Sequence, residues 1–204
     1  AADRIEDIVV TARKVREEAQ KTPIAITVLT SEGLRDSSVQ SLANLAAESP
    51  GLAISHGSTG DPNSPLISIR GQSQTTIALS VDAPIGLYTD GVYSTSSMGS
   101  SINHFLDIDR VEVLKGPQGT LFGRNTTGGA ISVYTKEPVL DDFQLETSLG
   151  VGNYGRMEAS AIVNVPLAEG TASLRIVGGS YDRDGYGEDL INRRDVGDEH
   201  TRTI

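Results

Sequence analysis

The sequence contains no cysteine, which excludes disulfide frameworks, thiolate zinc sites and cysteine nucleophiles. Its three histidines, His56, His104 and His200, lie far apart. None forms a ligand-spaced pair, so each reads as an exposed histidine and no metal site is expected. Aromatic residues make up only 4% of the chain, and so few large side chains leave a thin core. Basic residues are short as well: 17 Lys and Arg stand against 27 Asp and Glu, a formal charge of -10. That balance argues against nucleic acid, whose phosphates need a basic face. No apolar run is long enough for a membrane helix. A membrane role would therefore require a β-barrel. The start lacks a charged region followed by an apolar one, so any secretory signal is expected to have been removed already.

Glycine is abundant, with 22 copies in 204 residues, a length that allows one or two domains. Residues 109–136 are the most informative stretch. Val111 and Val113, with Ile108, alternate with Asp109, Arg110 and Glu112, the period of a half-buried strand. Gly116-Pro117 ends that strand. Gly119, Gly123 and Gly128-Gly129 offer turns with positive φ or close backbone approach, and a second strand follows over residues 130–135. A phosphate-binding loop would need Lys and then Ser or Thr after its second glycine. Here Arg124 and Asn125 follow Gly123, so a nucleotide site is rejected.

Residues 1–21 are polar except for a short β-branched run inside Asp7-Ile8-Val9-Val10-Thr11-Ala12. Such a run is either an edge strand of the following domain or a segment that adds to another protein's sheet by main-chain hydrogen bonds. Thr22-Pro23 breaks the chain, and a strand is read over 24–29. Thr30 or Ser31 can cap a short helix to about Asp36. A second helix is read from Ser38 on the spacing of Val39, Leu42, Leu45 and Ala46, stopped by Pro50-Gly51. A strand over 52–56 completes a small α+β unit. Polar loops occupy 57–65, 72–76 and 94–101; between them lie Ile69-Arg70-Gly71 and a strand over 85–93 interrupted by the turn dipeptide Asp90-Gly91.

From Asp142 the pattern changes. Phe143, Leu145, Leu149 and Val151, then Met157, Ala159, Ala161, Val163 and Val165, then Ala172, Leu174, Ile176 and Gly178, alternate with polar or small residues; the turns fall at 152–155 and 168–170. Three strands of about ten residues with one apolar face suit transmembrane β-hairpins. A soluble meander with one wet face has the same alternation. Tyr154, Tyr181 and Tyr186 near strand ends would suit an interfacial girdle. Three strands cannot close a barrel, so a barrel reading needs further strands from this polypeptide or a second one.

The Ile-Arg-Gly step at 69–71, Tyr88-Thr89-Asp90-Gly91-Val92-Tyr93 and above all residues 109–136 resemble the plug domain of TonB-dependent outer-membrane receptors. The resemblance spans essentially the whole chain. It implies an α+β plug domain with a small mixed sheet and short helices, followed by the first antiparallel strands of a transmembrane β-barrel. It divides the chain into a periplasmic tail (1–21), a plug (22–138) and opening barrel strands (139–204). It implies that Asp7, Ile8, Val9, Val10, Thr11 and Ala12 are the TonB box, which pairs with the energy-transducing TonB complex of the inner membrane. Arg70 and Lys115 match plug residues that face acids on the inner barrel wall. The family has Arg at the second of these positions, and Lys binds as a point charge without the bidentate fork. Loop residues His56, Gln72, Gln74, Met98 and His104 are the candidates for contact with a small-molecule substrate.

The function implied is active uptake of a scarce solute, a metal chelate or another nutrient, across the outer membrane. Its partners would be TonB, outer-membrane lipid and the remainder of the barrel, with no cofactor and no catalytic residue, since no spacing supports an enzyme. A soluble periplasmic plug-like binding module and one chain of a split receptor are the alternatives.

Overall fold

The computed structural model describes residues 9–11, 15, 17–56, 65–73, 83–94, 105–168, 170–185, 187–189, 194–196 and 199–203. These fall into two compact units, the first reaching Thr135 and the second beginning at Lys136.

The first unit contains β1 (Val9–Val10), β2 (Glu17–Glu18), a 3-10 turn (Ala19–Lys21), β3 (Ile26–Thr30), α1 (Ser31–Asp36), α2 (Leu42–Glu48) and β4 (Leu52–His56). It continues with β5 (Pro65–Ile69), β6 (Gln72–Ser73), β7 (Ile85–Thr89), β8 (Val92–Tyr93), β9 (Ile108–Lys115), the single turn α3 (Gly119–Phe122) and β10 (Gly129–Thr135). Five strands form a sheet in the order β3-β9-β10-β7-β8. β10 runs parallel to β7 and every other pair is antiparallel, so the sheet is mixed. A smaller sheet, β4-β5-β6, is antiparallel throughout. A small mixed sheet with short helices is the α+β arrangement that the resemblance implies for this part of the chain.

Alternation in β9 and β10 sends side chains to two faces. On one, Val111, Val113, Ile131, Val133 and Leu87 join Leu34, Leu42 and Leu45 of the helices and Leu52, Ile67 and Ile69 of the small sheet in the main core. On the other, Leu114, Ala130 and Tyr88 form a second cluster with Val10, flanked by Ile26, Val28, Tyr93 and Phe122. β9 is consequently not half-buried, as its alternation predicts. Val111, Glu112, Val113 and Leu114 are all 0% exposed, because β9 is an interior strand and the N-terminal segment covers its polar face.

Local chemistry sets the boundaries. Thr30 caps α1 by accepting a hydrogen bond from the Gly33 N–H at 3.3 Å. The helix ends with Ser38 N–H donating to Arg35 C=O and Val39 N–H to Leu34 C=O, while Ser38 takes φ 54°. That is a Schellman ending with its hydrophobic contact, Val39 against Leu34. Val39 thus belongs to the end of α1, and α2 starts at Leu42, four residues later than the helical spacing from Ser38 predicts. Arg70-Gly71 (φ 51° and 81°) and Asp90-Gly91 (φ 47° and 81°) make two-residue turns with positive φ at both central positions. These connect β5 to β6 and β7 to β8 with the twist a hairpin needs. The Asp90 carboxylate also accepts from the Thr135 N–H and hydroxyl, both at 2.9 Å, tying down the end of β10.

The second unit contains β11 (Gln144–Val151), β12 (Met157–Ala168), β13 (Ala172–Arg183), β14 (Gly187–Asp189), β15 (Arg194–Val196) and β16 (Glu199–Thr203). Its main sheet is antiparallel in the order β11-β12-β13-β16. The first three strands match those read from the alternation. The fourth, Glu-His-Thr-Arg-Thr, has no apolar alternation and was not expected. Register places Leu145 beside Val163 and Ile176, Val165 beside Leu174, and Val151 beside Met157. Leu145, Leu149, Val151, Met157, Leu174 and Ile176 on this face are exposed. No helix among the described residues is long and apolar enough to cross a membrane.

Candidate functional site

Among the described residues of the first unit, the N-terminal strand and its seat form an extended polar arrangement. β1 pairs with β2 over only two residues, Val9 opposite Glu18 and Val10 opposite Glu17. Val9 is 39% exposed, whereas Val10 is fully buried in the second cluster. The next residue, Thr11, donates to Oε1 of Glu112 through its N–H at 3.0 Å and its hydroxyl at 3.3 Å. Arg110 donates to the same oxygen from Nε at 2.9 Å and to the Thr11 hydroxyl from Nη2 at 3.1 Å.

Arg110 is held by more than this. Its Nη1 meets Asp109 at 2.8 Å, and its guanidinium lies 3.9 Å from the ring centroid of Tyr134. The pairing of Arg110 with Tyr134 across the ladder produces that stacking. Burial opposes the charge on Arg110, but hydrogen bonds to Glu112 and Asp109 outweigh it and push its pKa up. Burial also pushes the Tyr134 phenol above its ordinary value; the Glu112 carboxylate acts in the same direction, and Thr11 and Arg110 act against it. Glu112, Arg110 and Tyr134 were not singled out from sequence. The only signal was a charged pair in a strand, which ordinarily marks a solvated face.

The second group is Arg70 with Lys115. Arg70 is exposed, at the first central position of the β5–β6 turn, and its Nη1 lies 3.8 Å from where a Cβ on Gly116 would stand. Lys115 is the last residue of β9. Burial, and then the charge of Arg70, lower the Lys115 pKa. The fold therefore brings together two like charges that are 45 residues apart, 115 minus 70.

Of the loop candidates, Gln72 lies exposed in β6, with its Cβ packed where a Cβ on Gly128 would collide. His56 ends β4. Gln74, Met98 and His104 lie outside the described residues, as do Asp7, Ile8 and Ala12 of the N-terminal run and Tyr186. Tyr154 is 59% exposed in the turn between β11 and β12.

Comparison with known proteins gives this geometry a family. Residues 18–130, more than half the chain, match the family model described as TonB-dependent Receptor Plug Domain. The chain is 29% identical over 182 residues to the vitamin B12 transporter BtuB of Vibrio vulnificus, a match covering 88% of this chain and 28% of that protein. It is 34% identical over 132 residues to the pesticin receptor of Yersinia pestis, covering 64% of this chain and 19% of the receptor. Among solved structures, the ferric yersiniabactin uptake receptor FyuA of Yersinia pestis superposes with a TM-score of 0.71 at 28% identity, covering 88% of this chain and 27% of that one. That coverage exceeds the first unit alone, so the likeness takes in the antiparallel strands as well. The chain spans less than a third of the length of these relatives. It belongs to the family of TonB-dependent receptor plug domains.

Proposed function

We propose that this chain is the N-terminal part of a TonB-dependent transporter that takes up a metal chelate or another scarce nutrient across the bacterial outer membrane without covalent chemistry. The observation that carries the reading is a plug-family match over residues 18–130 preceded by a short β-branched strand. In this scheme residues 1–21 are a periplasmic tail, 22–138 the plug and 139–204 the opening strands of the barrel. Residues 7–12 are the TonB box, and TonB engages them by strand addition, where main-chain hydrogen bonds supply affinity. Relatives named as a vitamin B12 transporter and a ferric yersiniabactin uptake receptor support a chelate as the solute.

Arg70 and Lys115 face acids on the inner barrel wall in this reading. Their mutual repulsion supports it, since two adjacent cations are relieved by a nearby anion. Solute meets the plug through the loops that carry His56, Gln72, Gln74, Met98 and His104. The exposed apolar face of β11 to β13 meets lipid, and the strands needed to close the barrel come from the same chain or a partner chain.

The test is Val9→Pro, which removes a donor and fixes φ in the pairing strand. Cells depending on the receptor are supplied singly with ferric siderophores or with cobalamin. The expected outcome is normal binding of the solute with uptake lost. Uptake that survives the substitution rejects residues 7–12 as the coupling segment. A protein that stays in solution without detergent rejects the transporter in favour of a soluble binding module.

A further inference from the structure

Glu112 is a fully buried carboxylate in an interior strand. Its Oε1 receives three donors, and two of them come from Thr11. Its Oε2 has no hydrogen-bond partner among the described residues. A buried charge is tolerated only when it is well paired, and within the sheet itself Arg110 is the donor that pairs it. The ladder between β1 and β2 is two residues long, too short to hold the strand by main-chain bonds alone. What seats the segment is therefore Val10 in the second cluster and Thr11 on Glu112.

We propose that Glu112 and Arg110, with Tyr134 stacked on Arg110, form a latch closed by Thr11, so that the plug sheet itself competes with any partner strand for residues 9–11. Lifting the strand exposes Val10 and takes two donors from the Glu112 carboxylate, which water entering the uncovered face must then replace. The interaction surface is the polar face of β9 and β10, and its occupant is the chain's own N-terminal segment. Glu112 is a positioning residue here. The consequence for uptake rests on the reading of residues 7–12 as the coupling strand; the latch itself does not.

These 204 residues contain no cysteine, and any cysteine elsewhere in the intact protein is first replaced by serine. A single Val10→Cys reporter is introduced into the intact protein in isolated membranes, and its rate of reaction with a maleimide is measured. A Val111→Cys reporter in the main core serves as control. Hydrogen bonds to a charged group set the expected scale: Thr11→Val or Glu112→Gln speeds labelling of the Val10 reporter by about tenfold or more. The two changes together give no more than the larger single effect, because each opens the same latch. The control stays protected throughout.

Unchanged labelling at Val10 in both variants with the control protected would overturn the latch, as would two effects that simply multiply. If Glu112→Gln also exposes the control, that variant has loosened the plug, and Thr11→Val, which alters only the segment, decides. A strand that is latched but dispensable appears as faster labelling in Thr11→Val together with uptake that survives Val9→Pro. That result rejects the coupling role and keeps the latch.

Discussion

Ser38 shows how much a single φ angle decides. It sits at φ 54°, in the left-handed region, as the residue just past the cap of α1. A residue with a Cβ incurs about 1–2 kcal/mol there, and glycine would avoid most of that at the cost of greater freedom in the unfolded chain. Ser38→Gly is expected to stabilise the end of α1 by about 0.5–1 kcal/mol. The check is slower hydrogen exchange of the Val39 amide, which bonds Leu34 C=O. The same angle explains why helical spacing misplaced the second helix. Val39, Leu42, Leu45 and Ala46 do share a spacing, but Val39 is the hydrophobic partner of a helix ending and α2 begins after it. Glu112 teaches the converse. Its sequence neighbours make it look solvated, and it is buried because a residue 101 positions away covers it.

At the scale of an element, Asn164 in β12 anchors the segment that leads into β11. Its buried side chain accepts from Val139 N–H at 3.0 Å and donates to the carbonyls of Val139 and Asp142, each at 2.8 Å. Asn164→Ala leaves three backbone groups without these partners and is expected to cost about 1–3 kcal/mol in the second unit. Loss of exchange protection at the Val139 amide is the measurement. A similar dependence governs the glycine-rich turn. Gly129 takes φ 153°, and a Cβ there would overlap the Leu114 carbonyl oxygen. Steric need of this kind was visible in advance, because the Gly128-Gly129 pair precedes a strand pattern. The hydrogen bonds of Asn164 were not visible, since one asparagine in an alternating strand looks like any other polar position. β16 escaped for a related reason: it is defined by pairing with β13, not by an apolar pattern of its own.

For the whole molecule, the exposed apolar face of the second unit makes the sharpest prediction. Leu145 to Val151 extends about 20 Å along the strand at roughly 3.4 Å per residue, close to the height of a barrel's apolar band. Leu149 is 86% exposed on it. If that face meets lipid, Leu149→Arg is expected to cost about 2–4 kcal/mol at mid-depth, less nearer an interface. Ser148→Arg, pointing to the opposite face, costs little. The amount of folded, heat-modifiable protein in outer membranes reads both. Equal loss from the two changes would count against a lipid-facing row. Removing one cation from the Arg70–Lys115 pair is expected to loosen the plug while leaving solute binding intact. Arg70→Ala cells should admit more of a large antibiotic than the parent; unchanged permeability would reject the plug-to-wall role.

What the sequence determined by itself were the features carried by neighbours along the chain. The turn at Asp90-Gly91, the cap at Thr30, and the alternation of β11 to β13 are each set by residues a few positions apart. Local sterics and periodicity are enough to read them, and together with the motif around residues 109–136 they identified the plug family. The tertiary structure alone decided the features that join distant residues: the seating of Val10 and Thr11 on β9, the meeting of Arg70 with Lys115, and the burial of Glu112. Each depends on which face of an interior strand is covered and by what, and that is settled only when strands far apart in sequence pack together.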